Sequence, residues 1–196
     1  MFGKKEKEGT TMAKKRSWFK VVQKAFDLFL HRDEIAYFLG AKGITLTREN
    51  MNYLWNENKA YLDSKFSAEE KSQIFRNSIG RRGYDCSGFY CACTGEDDYS
   101  TGLYNKRAKE TSLVDGVAGQ GLYTTWGGTG YGRHIGLDIG YGYFMDCAYF
   151  STDANIARNR HSIRFGKISE VAWEHSFQSK NINYSGSIAT DPNAVK

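Results

Sequence analysis

The segment from 133 to 150 restricts the fold more than any other. His134-Ile135-Gly136-Leu137-Asp138-Ile139 alternates strictly, with Ile135, Leu137 and Ile139 on one side and His134, Gly136 and Asp138 on the other. Gly140-Tyr141-Gly142 supplies a turn, and an extended run follows it. The sequence therefore predicts a hairpin of Arg133–Ile139 and Tyr143–Phe150. A turn centred on Gly140 pairs residues whose numbers sum to 280, which sets His134 opposite Asp146 with Cβ atoms roughly 4.5–5.5 Å apart. Asp138, four residues along the same strand and about 13 Å away at roughly 3.3 Å per residue, is the poorer partner for His134. A slip of one residue would send Asp146 to the wrong face.

The first half has a different period. Ser17 is placed to cap a helix running to about Phe38, with Trp18, Val21, Val22, Ala25, Phe26, Phe29 and Leu30 at helical spacing. Gly40 and Gly43 end it. Thr47 precedes a helix over Arg48–Leu62, and Ser67-Ala68-Glu69-Glu70 is a capping box that opens another to about Ser78. Gly80 and Gly83 break the chain before Asp85. Glycine is dense between Gly116 and Gly142, Arg160–Phe165 reads as a strand, and from Tyr184 the chain is polar and frayed. Helices first and strands afterwards imply an α+β domain, with N-terminal helices packed on a central antiparallel sheet. At 196 residues the chain suffices for one such domain without disulfide staples.

Charge excludes more than it suggests. The net charge of +5 lies within residues 1–20, which hold seven basic and two acidic side chains, whereas the rest of the chain is balanced. Residues 1–16 are expected to be a basic, disordered leader, 17–184 the domain and 185–196 a flexible tail. A neutral domain gives no reason to expect nucleic acid as a partner. No run of 18 apolar residues provides a transmembrane helix; Val21–Leu30 is broken by Lys24 and Asp27 and lacks a cleavage site, so no signal peptide is evident. Cys86, Cys91, Cys93 and Cys147 lack metal-ligand spacing, so the thiols are expected to be reduced, with no metal and no cofactor.

The chemistry is concentrated at Asp85-Cys86-Ser87-Gly88-Phe89, which follows a glycine-rich turn and opens a short apolar helix. A cysteine at a helix N-terminus gains from the dipole and from unpaired amides that favour a thiolate, and those amides can also receive an oxyanion. The bland alternative is a cysteine buried as a small hydrophobe. A thiolate nucleophile needs a base, and the base needs an orienter. His134 and Asp146 qualify through the hairpin, against the alternative of a surface His–Asp pair. Cys91 and Cys93 read as packing for the nucleophile helix, and Cys147 as core. His161 and His175 read as surface or core histidines, and the run Arg158–Arg164 as a solvated edge rather than a phosphate site, with an anionic wall polymer as the alternative it could face.

Together, D-C-S-G-F at 85–89, H-I-G-L-D-I-G at 134–140 and the polar residue twelve after the histidine resemble the NlpC-type cell-wall cysteine peptidases, papain-like enzymes of bacteria and their phages. The resemblance covers roughly residues 18–184. It implies Cys86 as nucleophile, His134 as base and Asp146 as orienter. The implied reaction is hydrolysis of peptidoglycan stem peptides, at a bond between γ-D-glutamate and a diamino acid. Tyr37-Phe38-Leu39-Gly40-Ala41-Lys42-Gly43 is similar to the family's tyrosine element, with Leu39 in place of its usual aromatic residue. Residues 44–79 then form a helical insertion, as in a phage- or mobile-element-like variant. Tyr37, with Asp85 and Ser87, is assigned to oxyanion stabilisation or substrate positioning. Trp126-Gly127-Gly128 reads as a loop lining the groove. A wall hydrolase of this kind reaches its substrate by lysis, in a virion or through an injection machine. Two alternatives stay open: an amidase or transferase on another acyl substrate, and a structural or delivery component of a phage tail or secretion machine with a vestigial site. The oligomeric state is not set by the sequence.

Overall fold

The computed structural model describes residues 15–96, 109–125 and 134–190. Most of the expected leader, Trp126-Gly127-Gly128, Arg133 and the end of the chain from 191 lie outside the described residues. Ser17 caps α1 (Trp18–Leu30), accepting from the Lys20 amide, and Val21, Ala25 and Leu28 form its buried stripe. Arg16, expected in the leader, instead belongs to β1 (Arg16–Ser17), which pairs in parallel with β11 (Ile182–Asn183).

Helix α1 ends eight residues before the expected Phe38. A 3₁₀ turn at Arg32–Glu34 follows, and Ile35–Tyr37 is a strand, β2. The helical period fails here because all three β2 residues are buried, and β-branched and aromatic residues buried on both faces favour a strand. β2 pairs in parallel with β4 (Arg82–Tyr84), and β3 (Lys42–Thr45) pairs antiparallel with the other edge of β4. Between β3 and β4 run α2 (Arg48–Glu57), α3 (Lys59–Asp63) and α4 (Ala68–Ser78). The single helix expected over Arg48–Leu62 is divided at Asn58, whose amide caps back onto Trp55 and Asn56. Thr47 with Asn50, and Ser67 with Glu70, form the capping boxes that start α2 and α4. Met51, Trp55, Leu62, Ile74 and Phe75 bury a local core against Ala36, Phe38 and Ala41.

The second half supplies a six-stranded antiparallel sheet in the order β5-β10-β6-β7-β8-β9. Its strands are β5 (Lys109–Thr111), β6 (Gly121–Thr124), β7 (His134–Gly140), β8 (Tyr143–Cys147), β9 (Ile163–Lys167) and β10 (His175–Gln178). A short helix, α6 (Asp153–Ala157), lies between β8 and β9. Ile135, Leu137, Ile139, Met145 and Cys147 join Val21, Ala25, Phe89 and Tyr90 in the main core, so α1 and α5 (Cys86–Thr94) cover that face.

The expected hairpin forms, but its register is shifted by two. The two-residue turn is Tyr141-Gly142, both at positive φ (55° and 78°) as primed hairpin turns require. An irregularity between Asp138 and Gly140 then resets the ladder, so Leu137 faces Met145 and Asp138 faces Phe144. Asp146 therefore lies opposite Gly136, with His134 on the diagonal. The slip is even, so both side chains stay on one face.

The expected tail is also corrected over 185–190. Val117 bridges Ala189, the Ala118 amide donates to the Ile188 carbonyl at 2.8 Å, and the Thr190 amide donates to the Gly116 carbonyl at 2.8 Å. Asp138 explains this anchorage. Its buried carboxylate accepts from the Gly140 amide at 2.7 Å and from the Thr190 hydroxyl. Burial pushes its pKa up to about 6 against those two hydrogen bonds. Asp138 thus faces the C-terminal segment rather than His134.

Candidate active site

Cys86 is the first residue of α5, so its amide has no acceptor within the helix. Asp85 is the N-cap and accepts from the Gly88 amide at 2.6 Å. The same carboxylate accepts from the Gly40 amide at 2.9 Å and from Lys42 Nζ at 2.6 and 2.8 Å. Ser87 Oγ donates to Asp85 at 2.9 Å and accepts from Lys42 Nζ at 2.7 Å. Both residues assigned beside the nucleophile are therefore engaged in a polar junction that ties α5 to the 40–42 loop. That junction needs Gly88. A Cβ there would lie 2.5 Å from the Ala41 carbonyl oxygen, too close for any other residue.

The structure brings Cys86, His134 and Asp146 together. His134 Nε2 lies 2.6 Å from Asp146 Oδ2. Cys86 makes a side-chain hydrogen bond to the same ring, which leaves Nδ1 for the sulfur. His134 is 7% exposed and Asp146 is fully buried. Burial alone would lower the His134 pKa, but the hydrogen bonds and negative charges of Asp146 and Cys86 overcome it and raise the value to about 9. For Asp146, burial opposes ionisation, yet hydrogen bonds from Arg164 and His134 hold its carboxyl below the usual range. The site is thus arranged to keep the imidazole protonated beside the sulfur at neutral pH.

Two contributors were not found by sequence reasoning. Arg164, on β9 directly opposite Asp146, donates through Nε to Asp146 Oδ1 at 2.7 Å and through its second arm to Oδ2. The sequence places it in a solvated edge, and the structure instead half-buries it against Asp146. The available signal was its spacing, since Ser162 and Arg164 alternate with Ile163 and Phe165. Trp173 stacks on the His134 ring, with centroids 5.5 Å apart and planes 15° from parallel. It reaches over Gly136, where a Cβ would sit 2.8 and 2.9 Å from the indole edge. The neighbouring Glu174 holds this loop by accepting from the Thr124 and Thr125 hydroxyls at 3.0 and 2.7 Å. Nothing in the local sequence pairs Trp173 with His134.

Tyr37 reaches the site through the β2–β4 pairing, which puts it beside Tyr84, two residues before the nucleophile. Its amide donates to Ser162 Oγ at 2.8 Å, and its ring meets Phe150 edge-on at 4.7 Å. Burial, then the charges of Cys86 and Asp85, push its hydroxyl pKa up, so it remains a donor. Cys91, Cys93 and Cys147 are buried, and burial pushes the Cys93 and Cys147 thiols up; only Cys86 is partly exposed. His161 pairs with Asp33 at 3.1 Å and His175 with Glu110 at 2.8 Å, both away from the nucleophile.

No family model and no curated protein matches the chain. Among solved structures, the chain is similar to the NlpC/p60 domain of the peptidoglycan hydrolase SagA. The TM-score is 0.46 and the identity 17%, over 83% of this chain and 99% of that one.

Proposed function

We propose that this protein is a papain-like cysteine endopeptidase of NlpC type that hydrolyses peptidoglycan stem peptides, at a γ-D-glutamyl–diamino acid bond. One observation carries the reading: a partly exposed cysteine at a helix N-terminus, bonded to a buried histidine that is itself bonded to a buried aspartate. The D-C-S-G and H-x-G-x-D motifs that hold these residues supply the substrate class.

In this mechanism the Cys86 thiolate attacks the scissile carbonyl carbon and forms a C–S bond. The carbonyl electron pair moves to oxygen, which the Cys86 amide and the Tyr37 hydroxyl stabilise. His134, protonated at Nδ1, gives that proton to the departing amine as the C–N bond breaks. The neutral ring then takes a proton from water, whose oxygen attacks the thioester. Collapse releases the carboxyl product and restores the thiolate–imidazolium pair. Asp146 keeps the ring oriented through Nε2, and Arg164 fixes the Asp146 carboxylate through two hydrogen bonds.

The test is digestion of purified sacculi, with mass analysis of the released fragments. Wild type should release fragments ending at the γ-D-glutamyl carboxyl, and Cys86→Ala and His134→Ala should each release none while folding normally. Turnover by Cys86→Ala near that of wild type would remove the mechanism. An intact triad with no release from any sacculus would favour the structural or delivery alternative.

A further inference from the structure

We infer that a second cleft, beside β2 and lined by none of Cys86, His134 and Asp146, is a binding site for a phosphate group. The cleft has a volume of about 160 Å³. Arg32 enters it from the 3₁₀ turn, Arg81 from the residue before β4, and Arg160 from the loop after α6. These three guanidiniums come from separate parts of the chain. None pairs with a carboxylate among the described residues. Arg32 instead donates to the Phe29 carbonyl at 3.1 Å and lies 4.5 Å over the Phe29 ring, and Arg160 lies 5.2 Å over the Tyr149 ring. The one acidic residue of the lining, Asp33, is already paired with His161 at 3.1 Å. An isolated cluster of cations repels itself and is stabilised by an anion placed among its forks, a geometry that suits phosphate bidentately.

Ser151, 7% exposed, also lines the cleft and adds a neutral hydroxyl to its donors. The cleft is also coupled to the catalytic side. Ser162, another lining residue, accepts the Tyr37 amide through Oγ, and Ile35 lies on the same strand as Tyr37. The volume suits one phosphate and its ester neighbours. The source is either free phosphate or a phosphodiester polymer. The inference does not depend on the hydrolase reading.

Calorimetric titration of the full chain in low-salt, phosphate-free buffer tests it, with inorganic phosphate in one arm and soluble poly(glycerol phosphate) in the other. Saturable binding is expected in at least one arm. Polymer binding far tighter than phosphate assigns the polymer as the source; equal or tighter phosphate binding assigns the free ion. Arg81→Gln and Arg160→Gln should each weaken binding by roughly tenfold, whereas Arg48→Gln on α2, outside the cleft, should leave it unchanged. Amide shifts of the unmutated chain, recorded during the phosphate titration, should centre on Ser151 and Ser162 and reach Tyr37. No binding in either arm, equal binding by wild type and Arg81→Gln/Arg160→Gln, or shifts centred elsewhere would each overturn the inference.

Discussion

Asp146→Asn isolates the electrostatics of the catalytic pair from its shape. Asparagine keeps the volume and can still accept from His134 Nε2, but the negative charge is gone. In the native protein the His134 pKa rises from an ordinary 6.5 to about 9 despite burial. That rise corresponds to about 3 kcal/mol in favour of the protonated ring, at about 1.4 kcal/mol per tenfold. The folded value lies above the unfolded one, so this stabilisation is complete below about pH 6.5 and is lost as pH climbs through about 9. Without the Asp146 charge, burial meets only the Cys86 contribution and a neutral hydrogen bond, and the ring should titrate below its native value. Arg164→Gln has the opposite sign. It removes a cation that competes for Asp146, so the His134 value should rise. NMR titration of ¹³C-histidine-labelled protein reads both variants directly, and the alkaline limb of kcat/KM should follow them. A ring in Asp146→Asn that titrates within about 0.5 of wild type, or a shift of the two variants in the same direction, would refute this account.

Two further outcomes are expected. Gly136→Ala drives a methyl into the Trp173 indole edge, which should cost about 1–3 kcal/mol; thermal melting reads that loss, and a lowered His134 pKa would show that the stacked ring has been displaced. A limiting dose of iodoacetamide should label Cys86 before the three buried thiols, and mass spectrometry showing Cys91, Cys93 or Cys147 modified first would contradict the site.

The parts legible in sequence were those set by local spacing. The alternation of 134–139 and the glycine turn placed His134 and Asp146 on one face, and the contact survived a two-residue register error because side-chain direction repeats every two residues. Thr47 and the capping box at Ser67 marked the helix starts correctly, since capping bonds join residues three apart. What depended on distant chain was not legible. The end of α1 is fixed by burial of Ile35–Tyr37 against β4, across nearly fifty residues. Arg164 and Trp173 reach the triad through β9 and a loop beyond it, and neither carries a local signature of its partner. Thr190 seemed frayed because its polar sequence gives no hint of Asp138.

The long excursion between β3 and β4 returns the chain to the nucleophile through a closed base. It is closed at its base by two short bonds, the Leu46 amide to the Arg81 carbonyl and the Gly80 amide to the Leu46 carbonyl, both 2.8 Å. Loop-closure entropy grows only logarithmically, so doubling such a loop costs about 0.6 kcal/mol. The helices offset that cost with their own apolar core around Trp55 and Phe75. Beyond the closure, Lys42 pairs with Tyr84, and the Asp85 carboxylate holds both Gly40 and Lys42. The position of Tyr37 beside Cys86 is therefore set by the β2–β4 pairing and the Asp85 junction, with the helices of 47–79 packed against its neighbours Ala36 and Phe38.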